Sequence, residues 1–119
     1  MQNFTELAVW KRAHALVLRV YRVSKELPQS ESFGLILNLR RSATMMATRI
    51  AEGAGRPTGD EFAGELRRSR AAGYELEYLM LLFRDLGFLE GGVYDELSAE
   101  VIEIRKMISG LIKRVTDGS

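Results

Sequence analysis

The sequence predicts an all-α protein folded as an antiparallel up-down-up-down four-helix bundle. Apolar residues recur every three or four positions along most of the chain, which is the spacing of a helix that buries one face. Two prolines and two glycine clusters interrupt this pattern at three places. The interruptions are short, and short connections make consecutive helices antiparallel neighbours. We therefore expect a single domain over residues 1–119, with helices at roughly 5–26, 31–53, 59–86 and 93–116.

Each predicted helix carries its own apolar stripe. The first stripe comprises Trp10, Ala13, Val17, Val20, Tyr21 and Ser24. The second comprises Ile36, Leu39, Ala43, Met46 and Ile50. The third comprises Phe62, Leu66, Ser69, Gly73, Leu76, Met80 and Phe83, in which Ser69 and Gly73 would allow a close helix approach. The fourth comprises Leu97, Val101, Ile104, Ile108, Leu111 and Val115. Stripes of this heptad type predict a left-handed bundle.

Composition limits the classes of protein to which the chain can belong. It has no cysteine, which excludes disulfides and thiolate metal sites. The first basic residue is Lys11, preceded by Glu6, so no secretory signal is predicted. No uncharged stretch approaches the roughly 20 residues of a membrane span. We expect a soluble, cytoplasmic protein without membrane contact.

The charges are unevenly distributed between the two halves of the chain. The net charge is +1, but residues 1–57 carry +5 and residues 58–119 carry −4. Such asymmetry is compatible with a surface that binds anions. It is equally compatible with helices that attract one another when they pack.

The sequence shows no constellation of catalytic or metal-binding residues. His14 is the only histidine, and Lys11 stands where a Glu-x-x-His di-iron motif would need a carboxylate. Glu75 and Glu77 are two residues apart and point to different sides of a helix. The glycines around Ala54 follow a predicted helix rather than the strand that a nucleotide loop requires. We expect no catalysis, no metal and no cofactor.

The basic residues of the first two helices are a candidate surface for RNA or DNA. Phosphate backbones bind such surfaces with release of counterions. The alternative is an ordinary solvated face. This predicted basic set is Lys11, Arg12, Arg19, Arg22, Arg41, Arg49 and Arg56.

The third helix carries apolar residues on a second face, opposite its stripe. In a four-helix monomer each helix has one inward face, so a second one indicates contact between subunits. Alternatively, the third helix is central and contacts neighbours on both sides. Arginine and tyrosine suit a subunit interface and can also stack on bases. This predicted interface set is Arg67, Arg70, Tyr74, Tyr78 and Leu81.

From Phe4 to about Ile112 the chain resembles the four-helix-bundle proteins named from reading frames within intervening sequences of bacterial 23S ribosomal RNA. The most specific shared run is Ile50-Ala51-Glu52-Gly53-x-Gly55-Arg56. Further shared motifs are Phe4-x-x-Leu7-x-Val9-Trp10, Tyr21, Leu27-Pro28-x-x-Glu31, Gly34-Leu35, Arg40-Arg41-x-Ala43, Phe62, Glu75-Leu76-Glu77 and Gly110-Leu111-Ile112. The chain departs from the family pattern at Met45, Ala47 and Arg49, which replace the usual serine, proline and asparagine, and at Ala71-Ala72, which replaces Gly-Ser.

The resemblance implies a homopentamer without known catalysis. The accessory variability protein of diversity-generating retroelements is similar; it binds nucleic acid and a reverse transcriptase, and it is more basic than this chain. Two hypotheses follow. The first is a non-catalytic nucleic-acid-binding or adaptor protein that uses the basic set. The second is a structural oligomer that recognises a protein partner and has no role with nucleic acid.

Overall fold

Four α-helices account for most of the chain in the computed structural model, which describes residues 2–31 and 34–117. Helix α1 spans Ala8–Ser24, α2 Leu35–Ala54, α3 Gly59–Asp85 and α4 Gly91–Asp117. Short 3-10 helices at Phe4–Glu6 and Gln29–Glu31 precede α1 and α2. The described residues contain no β-strand, which confirms the all-α prediction with four helices. Within the same ranges, none of the helices combines the length and the apolar character that crossing a membrane would require.

Three helices begin at a different residue from the one that the sequence predicts, and the ends of all four differ from the prediction by one or two residues. The first starts at residue 8 rather than 5, because the Asn3 side chain caps the preceding 3-10 turn and Leu7 is extended. The second starts at residue 35 rather than 31; part of the predicted first turn is 3-10, and residues 32–33 lie outside the described residues. The fourth starts at Gly91 rather than residue 93, because the Glu90 carboxylate accepts a hydrogen bond from the Gly92 N–H at 3.0 Å.

Helix α3 has defined caps at both ends. The Thr58 hydroxyl accepts a hydrogen bond from the Glu61 N–H at 3.1 Å, which is the N-cap bond of a capping box. At the other end Gly87 adopts a φ of 81°. The N–H groups of Phe88 and Gly87 donate to the carbonyls of Phe83 and Arg84, each at 2.9 Å. This is the Schellman pattern, and it turns the chain towards α4.

The predicted stripes of α2 and α3 are buried over their whole length, and that of α4 as far as Leu111. Helix α1 is rotated relative to its prediction. Its buried residues are Val9, Ala13, Leu16, Val20 and Ser24. Trp10 and Val17 are only partly buried, and Tyr21 is 41% exposed.

Helix α3 packs along both α2 and α4, whereas α1 packs on α2 and meets α4 at fewer positions. The predicted close approach at Ser69 and Gly73 is confirmed. The Ser69 hydroxyl donates to the Met46 carbonyl at 2.7 Å. A Cβ on Gly73 would lie 3.1 Å from Met46 Cε and 3.0 Å from Arg105 Cγ. Small residues at these two positions therefore bring α3 close to both of its neighbours.

Candidate functional site

The first helix pairs two members of the basic set with carboxylates of α4. Arg12 Nε and Nη2 donate to the two carboxylate oxygens of Glu100 at 2.8 and 3.0 Å. These bonds hold the pKa of Glu100 below its ordinary value, although burial opposes them. Arg19 forms an ion pair with Glu96. Both arginines therefore help to hold α1 against α4. For these two residues the charge asymmetry reflects helices that attract one another, rather than a surface that binds anions.

Two further members of the basic set converge on Glu65 of α3, whose side chain is 3% exposed. Arg56 Nη2 lies 3.3 Å from one carboxylate oxygen, and Arg49 Nη1 lies 3.7 Å from the other. Arg68, one turn along α3, donates to the same carboxylate at 3.0 Å. Burial raises the pKa of Glu65, but the arginine hydrogen bonds and charges outweigh it, so this pKa lies below its ordinary value.

The Ile50–Arg56 run builds the junction where this cluster lies. Ile50 is fully buried, and Gly55 follows α2 as its C-cap. Gly53 touches α3 so closely that a Cβ there would lie 2.7 Å from Phe62 Cδ1 and 3.1 Å from Glu65 Cβ. The run therefore seats the end of α2 against the start of α3 and lets Arg56 reach Glu65.

Sequence reasoning did not identify Glu65. From the sequence, charged residues are expected at the surface, and Arg49 is expected to point away from the core. One signal was available. Glu65 shares the buried stripe of Phe62, Leu66 and Ser69, where an unpaired carboxylate would be costly.

The remaining members of the basic set, Lys11, Arg22 and Arg41, are exposed. The nearby Lys25, at the end of α1, is exposed as well. No described carboxylate lies within 4.0 Å of any of these four side chains. We call Lys11, Arg22, Lys25 and Arg41 the unpaired cations. By helical spacing Lys11 and Arg22 lie on the outward face of α1, and Arg41 on that of α2.

A groove of about 320 Å³ runs between α1 and α2 on this side of the molecule. Its lining residues are Trp10, His14, Val17, Thr44, Ala47, Thr48, Ala51 and Glu52. The rings of Trp10 and His14 are nearly parallel, at 7°, with centroids 4.9 Å apart. Phe4 packs edge-on against the same indole at 4.9 Å. The rotation of α1 thus places its tryptophan in a surface groove rather than in the centre of the core.

The predicted interface set forms the outward face of α3. Tyr74 and Tyr78 are 58% and 60% exposed, Arg67 is exposed, and Leu81 is half-buried. Arg70 Nη1 donates to the Ser109 hydroxyl at 3.0 Å. The Arg105 guanidinium lies 4.0 Å from the centre of the Tyr74 ring. Although α3 contacts α2 and α4, neither neighbour covers the two tyrosines.

Within residues 2–31 and 34–117, no three Asp, Glu or His side chains are placed to hold a metal ion. The titratable groups described here form ion pairs or lie at the surface. What the site offers is two surfaces: outward cations beside an aromatic groove, and a tyrosine face.

Comparison with known proteins identifies the family. A search of curated proteins finds no match. Among solved structures, the chain is similar to a protein of unknown function from the S23 ribosomal protein family of Bacteroides thetaiotaomicron VPI-5482, with a TM-score of 0.83 and 20% identity. The alignment covers 89% of this chain and 99% of that one, and at this identity it supports the fold alone. The family model for the 23S rRNA-intervening sequence protein matches residues 5–110, and the chain therefore belongs to that family.

Proposed function

We propose that the protein is a non-catalytic, cytoplasmic nucleic-acid-binding adaptor that acts as a homo-oligomer of up-down-up-down bundles. The observation that carries the proposal is the separation of the basic residues into two groups. Arg12, Arg19, Arg49 and Arg56 are paired with carboxylates. Of the unpaired cations, Lys11, Arg22 and Arg41 lie on the outward faces of α1 and α2, and Lys25 caps the end of α1.

Unpaired cations are available to phosphates without the loss of an existing ion pair. Each phosphate neutralised on duplex DNA contributes about −0.9 to the slope of log affinity against log salt. Four contacts per subunit would give a slope of about −3.6. In an oligomer the same four cations recur in every subunit, so long strands would gain affinity through avidity.

Assembly is supported by the tyrosine face of α3. Aromatic residues and arginine are enriched at subunit interfaces, and Tyr74, Tyr78 and Arg67 are exposed on one side of a helix whose other side is buried. Five subunits is the number that the family resemblance implies. The up-down order is supported by two ion pairs of α1, Arg12 with Glu100 and Arg19 with Glu96. Residue numbers rise along α1 as they fall along α4, so these two helices run antiparallel, as the first and last helices of an up-down-up-down bundle do.

The test of nucleic-acid binding is a titration with mixed-sequence RNA and DNA at two salt concentrations. Changing both Arg22 and Arg41 to Gln should weaken binding and reduce the magnitude of the salt slope on duplex DNA by about 1.8. The matched control changes Lys106 and Lys113 to Gln, which removes the same charge from exposed positions on α4. If strands of every length fail to bind at low salt, the proposal is wrong.

The test of assembly is sedimentation. The wild type should sediment as a multiple of 13.4 kDa at micromolar concentration, and Tyr78→Glu should release monomers because it places a charge in the interface. Leu18→Glu makes a similar change at an exposed apolar residue on α1 and should leave assembly intact. Assembly that survives Tyr78→Glu would place the interface elsewhere.

The exposed tyrosines also favour a second candidate function, a structural oligomer that recognises a protein partner. Salt distinguishes the two. Binding to phosphates weakens steeply as salt rises, whereas a partner held by apolar contacts responds weakly. A protein ligand whose affinity is insensitive to salt, together with no affinity for nucleic acid, would favour this second function.

A further inference from the structure

We infer that the groove between α1 and α2 is a base-stacking site, and that the nucleic acid bound beside it is single-stranded. The inference rests on the proposed function, because the unpaired cations supply the phosphate contacts. It specifies that the ligand is single-stranded, and it assigns base contacts to Trp10 and His14 in addition to the phosphate contacts.

The groove has the chemistry of a stacking site. The Trp10 indole is fixed by Phe4 at its edge and by His14 on its face, so its orientation is set before any ligand binds. His14 is exposed, and its outer face can extend the stack by one base. The volume of about 320 Å³ lies at the lower end of the range of about 300–1,000 Å³ for small-molecule sites. The Thr44 hydroxyl donates to the Arg40 carbonyl at 2.8 Å and can still accept from a base edge, and the Thr48 hydroxyl in the lining can donate or accept.

The surroundings favour a single strand over the other occupants of a groove. Proteins that bind single strands combine aromatic stacking platforms with a positively charged track for the backbone. Here the aromatic pair lines the groove from α1, and the outward faces of α1 and α2 beside it carry Lys11, Arg22 and Arg41. The carboxylate in the lining, Glu52, is already paired with Arg49 at 3.1 Å. The bases of a duplex are stacked on one another, so they cannot reach Trp10 unless the duplex opens. An acidic amphipathic helix is the remaining occupant that suits the charge, and the experiment includes it.

Trp10 is the only tryptophan of the chain and serves as the reporter. A labelled single strand and a duplex of equal length and sequence are titrated at low salt, with anisotropy reporting binding and tryptophan emission reporting stacking. We expect the single strand to quench the emission saturably, with the same dissociation constant by both signals. We expect the duplex to bind more weakly and to leave the emission unchanged.

Substitution of His14 separates stacking from charge. His14→Ala removes the outer ring and should weaken single-strand binding about 5- to 150-fold, the range expected for one lost stacked base. His14→Phe restores a ring without a hydrogen-bonding nitrogen and should keep most of the affinity. The residue is exposed, so neither variant disturbs the core, and equal thermal unfolding of all three proteins checks this.

The outcomes distinguish this inference from the proposed function. Anisotropy can show that single strands bind while the Trp10 emission does not change on binding and His14→Ala binds as tightly as the wild type. In that case the groove inference is wrong and the proposed function stands. If no nucleic acid binds, both are wrong. If an acidic amphipathic peptide quenches Trp10 and single strands do not, the groove is a helix-binding site and the inference is overturned.

Discussion

Replacing Gly53 with alanine is expected to destabilise the protein, although the same change usually stabilises a helix by up to about 1 kcal/mol. The new Cβ would lie 2.7 Å from Phe62 Cδ1, about 0.8 Å closer than carbon atoms at their optimal separation. Phe62 is 4% exposed and lies between α2 and α3, so its ring cannot move outward. Overpacking of this kind costs about 1–3 kcal/mol.

Gly64→Ala is the matched control, because Gly64 also lies in a helix and a Cβ there would have no atom within 4 Å. The two variants share the gain in helix propensity, so the difference between them isolates the overpacking. We expect Gly64→Ala to raise the melting temperature and Gly53→Ala to melt about 4–12 °C below it, at about 4 °C per kcal/mol for a domain of this size. Both are measured at one protein concentration, since the proposed assembly would make the melting temperature depend on concentration. Equal melting temperatures would refute the close contact at Gly53.

Three further changes test other parts of the structure. Because the pKa of Glu65 is lowered in the folded protein, its carboxylate stabilises the fold at pH values above its ordinary pKa of 4.5, and this stability is lost as the pH falls through the folded-state pKa. In urea unfolding between about pH 3 and pH 7, the unfolding free energy of Glu65→Gln should therefore fall less steeply towards acid pH than that of the wild type. At neutral pH the urea midpoint of the variant should be lower. Ile108→Asp buries an unpaired carboxylate in α4 at a cost of several kcal/mol, so its circular dichroism should show unfolding, and a wild-type melting curve would contradict the α4 stripe. Gly87→Ala places a side chain at a φ of 81° and should lower the unfolding free energy by about 1 kcal/mol in the same urea assay.

The stripes of α2 and α4 could be predicted from the sequence because each has one face on which apolar residues recur without competition. The stripe of α3 could be predicted because it runs from Phe62 to Phe83, whereas the second apolar face of that helix is short and also carries arginines. Helix α1 could not be oriented in this way. It has apolar residues around most of its circumference, including Leu16, Val17 and Leu18, so periodicity alone does not select its buried face. Its actual orientation depends on packing against α2, which leaves Trp10 at the groove and Tyr21 exposed beside Arg40.

The candidate surfaces were predicted as lists of charges, and a list does not show which charges are neutralised. Arg12 and Glu100 are 88 positions apart, so nothing local in the sequence links them. Arg49 is expected on the outward face, but it donates to Glu52 on its own helix at 3.1 Å and lies 3.7 Å from Glu65 on the next helix. The tyrosines of α3 were predictable, because their positions opposite a complete buried stripe leave them no place in the core of one subunit.

The ion pairs between α1 and α4 join the most distant parts of the sequence, and this has a consequence for biosynthesis. During translation at about 5–20 residues per second, Glu100 is made roughly 4–18 s after Arg12. Within that interval the net charge of the chain made so far rises to +5 at Arg56, and it returns to zero only when Glu96 of α4 has been added. Because contacts close in sequence form fastest, α1 can pair with α2 and α2 with α3 before α4 emerges, and only the ion pairs of α1 wait for α4. From Arg56 to Arg84 the growing chain therefore carries a net charge of +2 to +5, against +1 for the whole sequence, and its affinity for polyanions should be greatest before α4 is added.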